Sequence, residues 1–261
     1  MSQLLENIIN LDHYRIGDDA FRSECHRTLD NNGVLVLPEF LKPSAIASVQ
    51  KEGLENQHLA YYTADNHNIY LTPPDPEFPA DHVRNREVAS SKGCITTDQI
   101  PTESALRTLY DAPEFRRFLC EVLDETDLFE YADPLSSINL HYASDGQELG
   151  WHFDNSSFAV TLLIQKPDGG GAFEYVKDVR DADRSEMNFE LAAKVLDGEV
   201  PAKTLTMNEG ALVLFRGRNS MHRVTPVIGD RTRMLVVLAY NSKPGISLSE
   251  SARMTFFGRL G

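Results

Sequence analysis

The chain has 261 residues, enough to bury the core of one large domain or two small ones, and its 41% apolar and 25% charged content excludes wholesale disorder. A formal charge of −14 argues against DNA, RNA or an anionic membrane surface as partners, because those require clustered lysine and arginine; small-molecule ligands stay open. The three cysteines, Cys25, Cys94 and Cys120, are scattered and lack any C-x-x-C, so they read as reduced thiols. With no basic leader and no apolar run of about 18 residues, a cytoplasmic protein is expected.

In chain order, apolar residues at helical intervals predict a helix from Asp18 to Asp30, stopped by N-N-G. V-L-V-L-P at 34–38 reads as a strand, and a second helix follows with Pro43 in its first turn. Residues 57–102 read as a long irregular segment with four prolines between Pro73 and Pro79, a candidate lid as much as a wandering surface loop. Within it Arg84 and Arg86 are candidate partners for a substrate carboxylate, against the plainer reading of two solvated arginines. Helical pattern returns from about Thr102 to Leu123. From residue 136 the chain becomes short runs rich in β-branched and aromatic residues, such as S-I-N-L-H-Y-A, F-A-V-T-L-L-I-Q and R-M-L-V-V-L-A-Y, separated by turn signals; only Ser185 to Leu196 has helical composition. Such texture predicts a sandwich or closed barrel rather than a parallel α/β sheet. The glycines at 169–171 fall in a predicted hairpin turn, so no phosphate-cradling loop is indicated.

The stretch G-W-H-F-D-N-S-S places His152 and Asp154 two residues apart, so that on a strand both side chains leave the same face. Alone, that is usually a solvated polar face. His222, in N-S-M-H-R-V-T-P-V, stands at the start of another strand of the same region and supplies a third ligand type. Two imidazoles and one carboxylate leave the opposite face of a cation free, which suits non-haem Fe(II); zinc with a fourth site for water is the alternative. Beyond His222, Arg231 and Arg233 open an apolar strand, and an arginine directed into an apolar interior requires an anion. A dicarboxylate such as 2-oxoglutarate provides one, because the planar guanidinium matches a carboxylate with two hydrogen bonds.

With H-x-D, the distal His222 and the following arginine in this order, the chain resembles the Fe(II)/2-oxoglutarate-dependent oxygenase superfamily, most clearly over 136–242. G-V-L-V-L-P-E-F-L-K-P and A-Y-N-S are similar to its phytanoyl-CoA hydroxylase branch, and a narrower likeness is to small bacterial oxygenases of free amino acids, some of them halogenases. The resemblance implies one mainly β domain over 1–261. It would comprise a helical flank (1–135) that includes the candidate lid, a double-stranded β-helix or jelly-roll core (136–242) with helices outside, and a C-terminal extension (243–261). It implies Fe(II) held by His152, Asp154 and His222, and O2 and 2-oxoglutarate as cosubstrates. Arg233, Asn139 and Tyr142 would contact 2-oxoglutarate; Arg233 is preferred to Arg231 by its distance from His222 and from A-Y-N-S. Asn155, beside the metal carboxylate, is a candidate substrate contact, and Trp151 a packing residue. In halogenases of the superfamily a small residue replaces the aspartate and chloride takes its place, so Asp154 implies hydroxylation of a small molecule, an amino acid or related metabolite. The competing readings are a cupin-like protein without catalysis, a zinc enzyme on the same barrel, and an oxygenase that desaturates or cyclises.

Overall fold

The computed structural model describes residues 3–261. After a short helix α1 (Gln3–Glu6), α2 (Asp19–Asn32) begins where the Asp18 carboxylate accepts the Phe21 amide at 2.8 Å and ends where the Gly33 amide bonds the Leu29 carbonyl. Strand β1 (Val34–Leu37) leads to α3 (Pro43–Asn56), whose proline sits in the first turn, where no intrahelical amide bond is lost. Strands β2 (Tyr61–Asn68) and β3 (Glu87–Ile95) pair as an antiparallel ribbon. The helical stretch before residue 123 is two helices, α4 (Ala105–Asp111) and α5 (Pro113–Leu123), because Pro113 holds Ala112 in an extended conformation.

Short strands then dominate: β4 (Ile138–Ala143), β5 (Leu149–His152), β6 (Ala159–Gln165), β7 (Gly169–Gly170) and β8 (Phe173–Val176). Helix α6 (Phe189–Leu196) interrupts them before β9 (Lys203–Leu205), β10 (Leu212–Phe215), β11 (Met221–Val224), β12 (Val227–Ile228) and β13 (Arg233–Leu238), and α7 (Glu250–Phe257) follows. Every pairing is antiparallel, in the order β1-β10-β6-β13-β4-β3-β5-β11-β8-β9 with β2 against β3; β7 and β12 form a separate pair. This is the jelly-roll core expected, a curled antiparallel sheet with helices packed outside.

Period-two alternation divides the strands' side chains between two environments. On β13, Met234 and Val236 join the main core with Phe115 and Phe118 of α5, while Arg233, Leu235 and Val237 turn toward the barrel's interior. A second core lies beneath α6, where Trp151, Phe153 and Met221 meet Ala192 and Val195. Trp151 is thus a packing residue, with the Arg223 guanidinium 4.9 Å from its ring.

Three expectations change. Much of 57–102 is ribbon rather than irregular chain; β2 is largely exposed on both faces, so Y-Y-T-A-D-N-H-N carries no apolar alternation that could reveal it. The sheet also does not begin at 136, since β1 pairs with β10 and β3 lies between β4 and β5. The 169–171 glycines are not simply a turn, for Gly169 and Gly170 pair with β12. No helix among the described residues is long and apolar enough to cross a membrane.

Candidate metal centre

His152 ends β5 and His222 lies directly opposite it on β11, so the register itself brings the two rings together on one face, with centroids 4.1 Å apart. Asp154, two residues past His152, completes the group: its Oδ1 lies 3.9 Å from His152 Nε2 and 3.5 Å from His222 Nε2. One ligand atom from each residue falls within 4.8 Å of the others. His152 Nδ1 donates to the Gly150 carbonyl at 2.7 Å, and His222 Nδ1 to the Ser220 carbonyl at 3.0 Å. A carbonyl can only accept, so each Nδ1 carries a proton and each Nε2 is turned toward the shared site.

The charge states suit a cation. Burial, followed by the neighbouring His222, pushes the His152 imidazole down to about 3, so it is neutral at physiological pH. Burial alone would raise the Asp154 carboxyl, but His222, His152 and Lys92 outweigh it and hold the group below its ordinary value. Asp154 Oδ2 is buried without a hydrogen-bond partner, an acceptor that a bound divalent ion would satisfy. Two imidazole nitrogens and an ionised carboxylate therefore fit a divalent metal. Gly217 frames the carboxylate: its carbonyl accepts the Asp154 amide at 3.1 Å, and a Cβ at 217 would overlap the Asp154 carboxylate.

The triad opens into a cavity of about 290 Å³, which also receives Arg233 and the apolar Leu235, Val237 and Ala239. Arg233 is buried, its Nε donates to the Gly171 carbonyl at 3.1 Å, and no acidic side chain pairs with it among the described residues. Burial pulls its guanidinium down to about 10, which leaves it charged at neutral pH. Gly171 must be small here, because a Cβ would lie 3.0 Å from Arg233 Cδ and 2.9 Å from Pro167 Cγ. Arg231 is exposed and already paired with Glu209 at 2.8 Å. Of the two arginines, Arg233 is therefore the one without an acidic partner among the described residues, and beside the triad its surroundings fit the distal carboxylate of a dicarboxylate.

The other candidate residues stand elsewhere. Tyr142 faces the helices, fully buried, and its hydroxyl donates to the Gly53 carbonyl at 2.7 Å; it does not reach the cavity, which corrects the expectation of a cosubstrate contact. Residues three apart cannot share a face of a regular strand, so Asn139 and Tyr142 were never compatible as inward pairs. Asn139 borders a smaller neighbouring cavity, with Nδ2 donating to Leu135 and Ile138 carbonyls at 2.8 and 3.1 Å. Asn155 is exposed outside the cavity, and its carbonyl accepts Arg218 Nη1 at 3.1 Å. Arg86 pairs with Asp197 at 2.6 Å, while Arg84 lies over the Tyr70 ring at 5.6 Å and near Asp75. Two inward residues were missed: His141 of β4, and Lys92 of β3, which is hidden in sequence by the absence of a strand pattern.

Burial holds the His141 imidazole well below its ordinary value, with Lys92 and Arg233 adding to the effect. His141 and His152 thus stay neutral when folded and take up protons when unfolded below about pH 6.5. The unfolded state then binds more protons, so stability rises with pH, by up to ~1.4 kcal/mol per pH unit for each group. The metal-free protein should lose denaturant stability as pH falls from 7 to 5; urea midpoints that stay flat over that range would contradict this.

The family model HalD, described as Halogenase D, matches residues 18–255. No curated protein matches the chain. Among solved structures, an oxidoreductase of the 2OG-Fe(II) oxygenase family from Burkholderia pseudomallei aligns at 12% identity and a TM-score of 0.56, covering 88% of this chain and 95% of that one. SnoK, described as a non-heme alpha ketoglutarate dependent carbocyclase from nogalamycin biosynthesis, aligns at 13% and 0.57 over 88% and 89%. A Pseudomonas putida prolyl-4-hydroxylase aligns at 13% and 0.51 over 83% and 97%. At such identities these likenesses establish the fold.

Proposed function

The chain belongs to the Halogenase D family, and within it we propose an Fe(II)- and 2-oxoglutarate-dependent hydroxylase of a small molecule, an amino acid or a related metabolite. The observation that carries the reading is Asp154: a carboxylate completes the triad, where a halide-using relative would have a small residue. Its charge and its bulk both oppose a halide at that position. The nearness to the phytanoyl-CoA hydroxylase branch rests on G-V-L-V-L-P-E-F-L-K-P and A-Y-N-S alone.

His152 and His222 would hold the metal through Nε2, each ring oriented by its Nδ1 bond to a backbone carbonyl, and Asp154 through its carboxylate. When bound, Fe(II) and 2-oxoglutarate supply the oxidising power: O2 is consumed, the 2-oxo acid becomes succinate and CO2, and one oxygen atom enters a substrate C–H bond. Arg233 would orient the distal carboxylate with its guanidinium fork, and Leu235, Val237 and Ala239 give the cavity an apolar wall. Phe215 and Phe173, with ring centroids 4.8 and 5.5 Å from that of His222, shield that ligand from water. A zinc hydrolase or a non-catalytic barrel would leave Arg233 buried without an anion, which counts against both.

The reaction class is tested by the product made under 18O2 with excess chloride. One 18O atom and no chlorine is the expected result. A chlorinated main product, or one without oxygen from O2 as in desaturation or cyclisation, refutes hydroxylation.

A further inference from the structure

A second cavity of about 160 Å³ adjoins that of the triad, and Lys92, His141, Tyr131, Val237 and Ala239 wall both. Its outer side is formed by Leu248 and by Phe256 and Phe257 of α7; neither Arg233 nor any triad residue lines it. Lys92 thus stands in the wall common to both spaces.

The sheet fixes how far this lysine lies from the arginine. Gly93 pairs with Tyr142 and Cys94 with His141, which sets Lys92 beside Ala143, and Ala143 lies opposite Arg233. Two strand spacings separate the cations, about 10 Å of sheet. Lys92 Nζ lies 3.4 Å from His141 Nδ1 and 6.0 Å from the centre of the Phe256 ring. A neutral imidazole and an aromatic face supply no negative charge, and no acidic side chain forms an ion pair with Lys92 among the described residues. Asp154 acts on it from a distance, but that carboxylate belongs to the metal set. One dicarboxylate held between the metal and Arg233 would leave Lys92 as a half-buried cation facing two cavities, an arrangement that favours a further anion.

The geometry points to Lys92 as the anchor of a carboxylate on the substrate itself, with the rest of that molecule extending into the triad's cavity, toward the metal ligands. The inference rests on the 2-oxoglutarate reading above and narrows it to substrates that carry a free carboxylate. His141 serves as a positioning residue: neutral, it accepts from the ammonium and aims it without competing for the anion. A purely structural lysine at this place would discriminate neither acid from amide nor lysine from methionine in ligand binding.

The test uses the whole protein with Fe(II) and 2-oxoglutarate under anaerobic conditions, and reads the metal-to-ligand charge-transfer absorption of the complex. Free L-amino acids and their carboxamides are added one at a time. In the wild type, at least one acid should perturb the absorption at concentrations where its amide does not. Lys92→Met should form the 2-oxoglutarate complex with nearly unchanged affinity yet bind that acid about 10- to 100-fold more weakly, and Lys92→Arg should recover part of the loss. Circular dichroism establishes that both variants fold. If the wild type forms no charge-transfer complex, the cosubstrate reading fails. If the complex forms but no acid perturbs it, or acids and amides behave alike, the Lys92 inference fails alone. It also fails if Lys92→Met, folded, loses its affinity for 2-oxoglutarate instead.

Discussion

Alanine at His152, Asp154 or His222 should each abolish Fe(II)-dependent succinate formation while the barrel stays folded. Loss of a partner that merely orients a ligand typically lowers metal affinity about 10- to 100-fold, and loss of a ligand itself should exceed that. The fold should survive because the triad sits at the ends of short strands and outside the apolar clusters that bind sheet to helices. His152→Ala and His222→Ala also remove a buried imidazole whose main contacts are the other ring, the Asp154 carboxylate, a backbone carbonyl and, for His152, the His67 ring or, for His222, two phenylalanines. Asp154→Ala removes an acceptor that has no partner on Oδ2, but also the charge that His222, His152 and Lys92 stabilise, so apo stability should fall modestly at neutral pH. Anaerobic calorimetry with Fe(II), beside circular dichroism, checks the set. A variant with wild-type iron affinity and turnover would take its residue out of the centre.

The second large effect is expected at Arg233. Glutamine there keeps a polar group near the Gly171 carbonyl but removes the charge that would meet the distal carboxylate. Truncating one partner of a buried charge pair costs roughly 2 to 5 kcal/mol, or roughly 30- to several-thousand-fold in 2-oxoglutarate affinity. Arg231→Gln breaks only a half-exposed pair with Glu209 and should change that affinity by less than about 5-fold. Anaerobic titrations of the charge-transfer absorption separate the two. Equal effects, or the larger one at Arg231, would mean that the cosubstrate's far end lies elsewhere.

The parts of this molecule that were legible in sequence are those where one local rule had no competitor. Asp18 and Gly33 bracket α2 because a carboxylate before a helix and a glycine after it satisfy the free backbone groups. The strands after 136 announce themselves by β-branched runs, and the triad by residue types with few other reasons to share that order. Strand β2 stayed hidden because both of its faces are largely exposed, and with it the ribbon that brings in Lys92. Tyr142 is not placed by its likeness to a motif, because strand parity turns it away from Asn139 and His141, which lie at cavity walls on the same strand. The pairing of Lys92 with His141 across β3 and β4 is a register fact, which no local pattern encodes.

The contact between Gly217 and the Asp154 carboxylate ties two distant positions into one lineage constraint. While a carboxylate occupies 154, any side chain at 217 must displace it, so mutation at 217 is closed to the chain. Once 154 becomes glycine the restriction lifts, and 217 is free to drift toward alanine and fill the space; alanine at 154 would still leave a Cβ 3.0 Å away. Any later return of aspartate at 154 would then be blocked by the residue acquired at 217. Loss of the carboxylate ligand works as a ratchet, and the path between a three-ligand centre and a two-ligand one has a preferred direction written in a steric contact rather than in the metal chemistry.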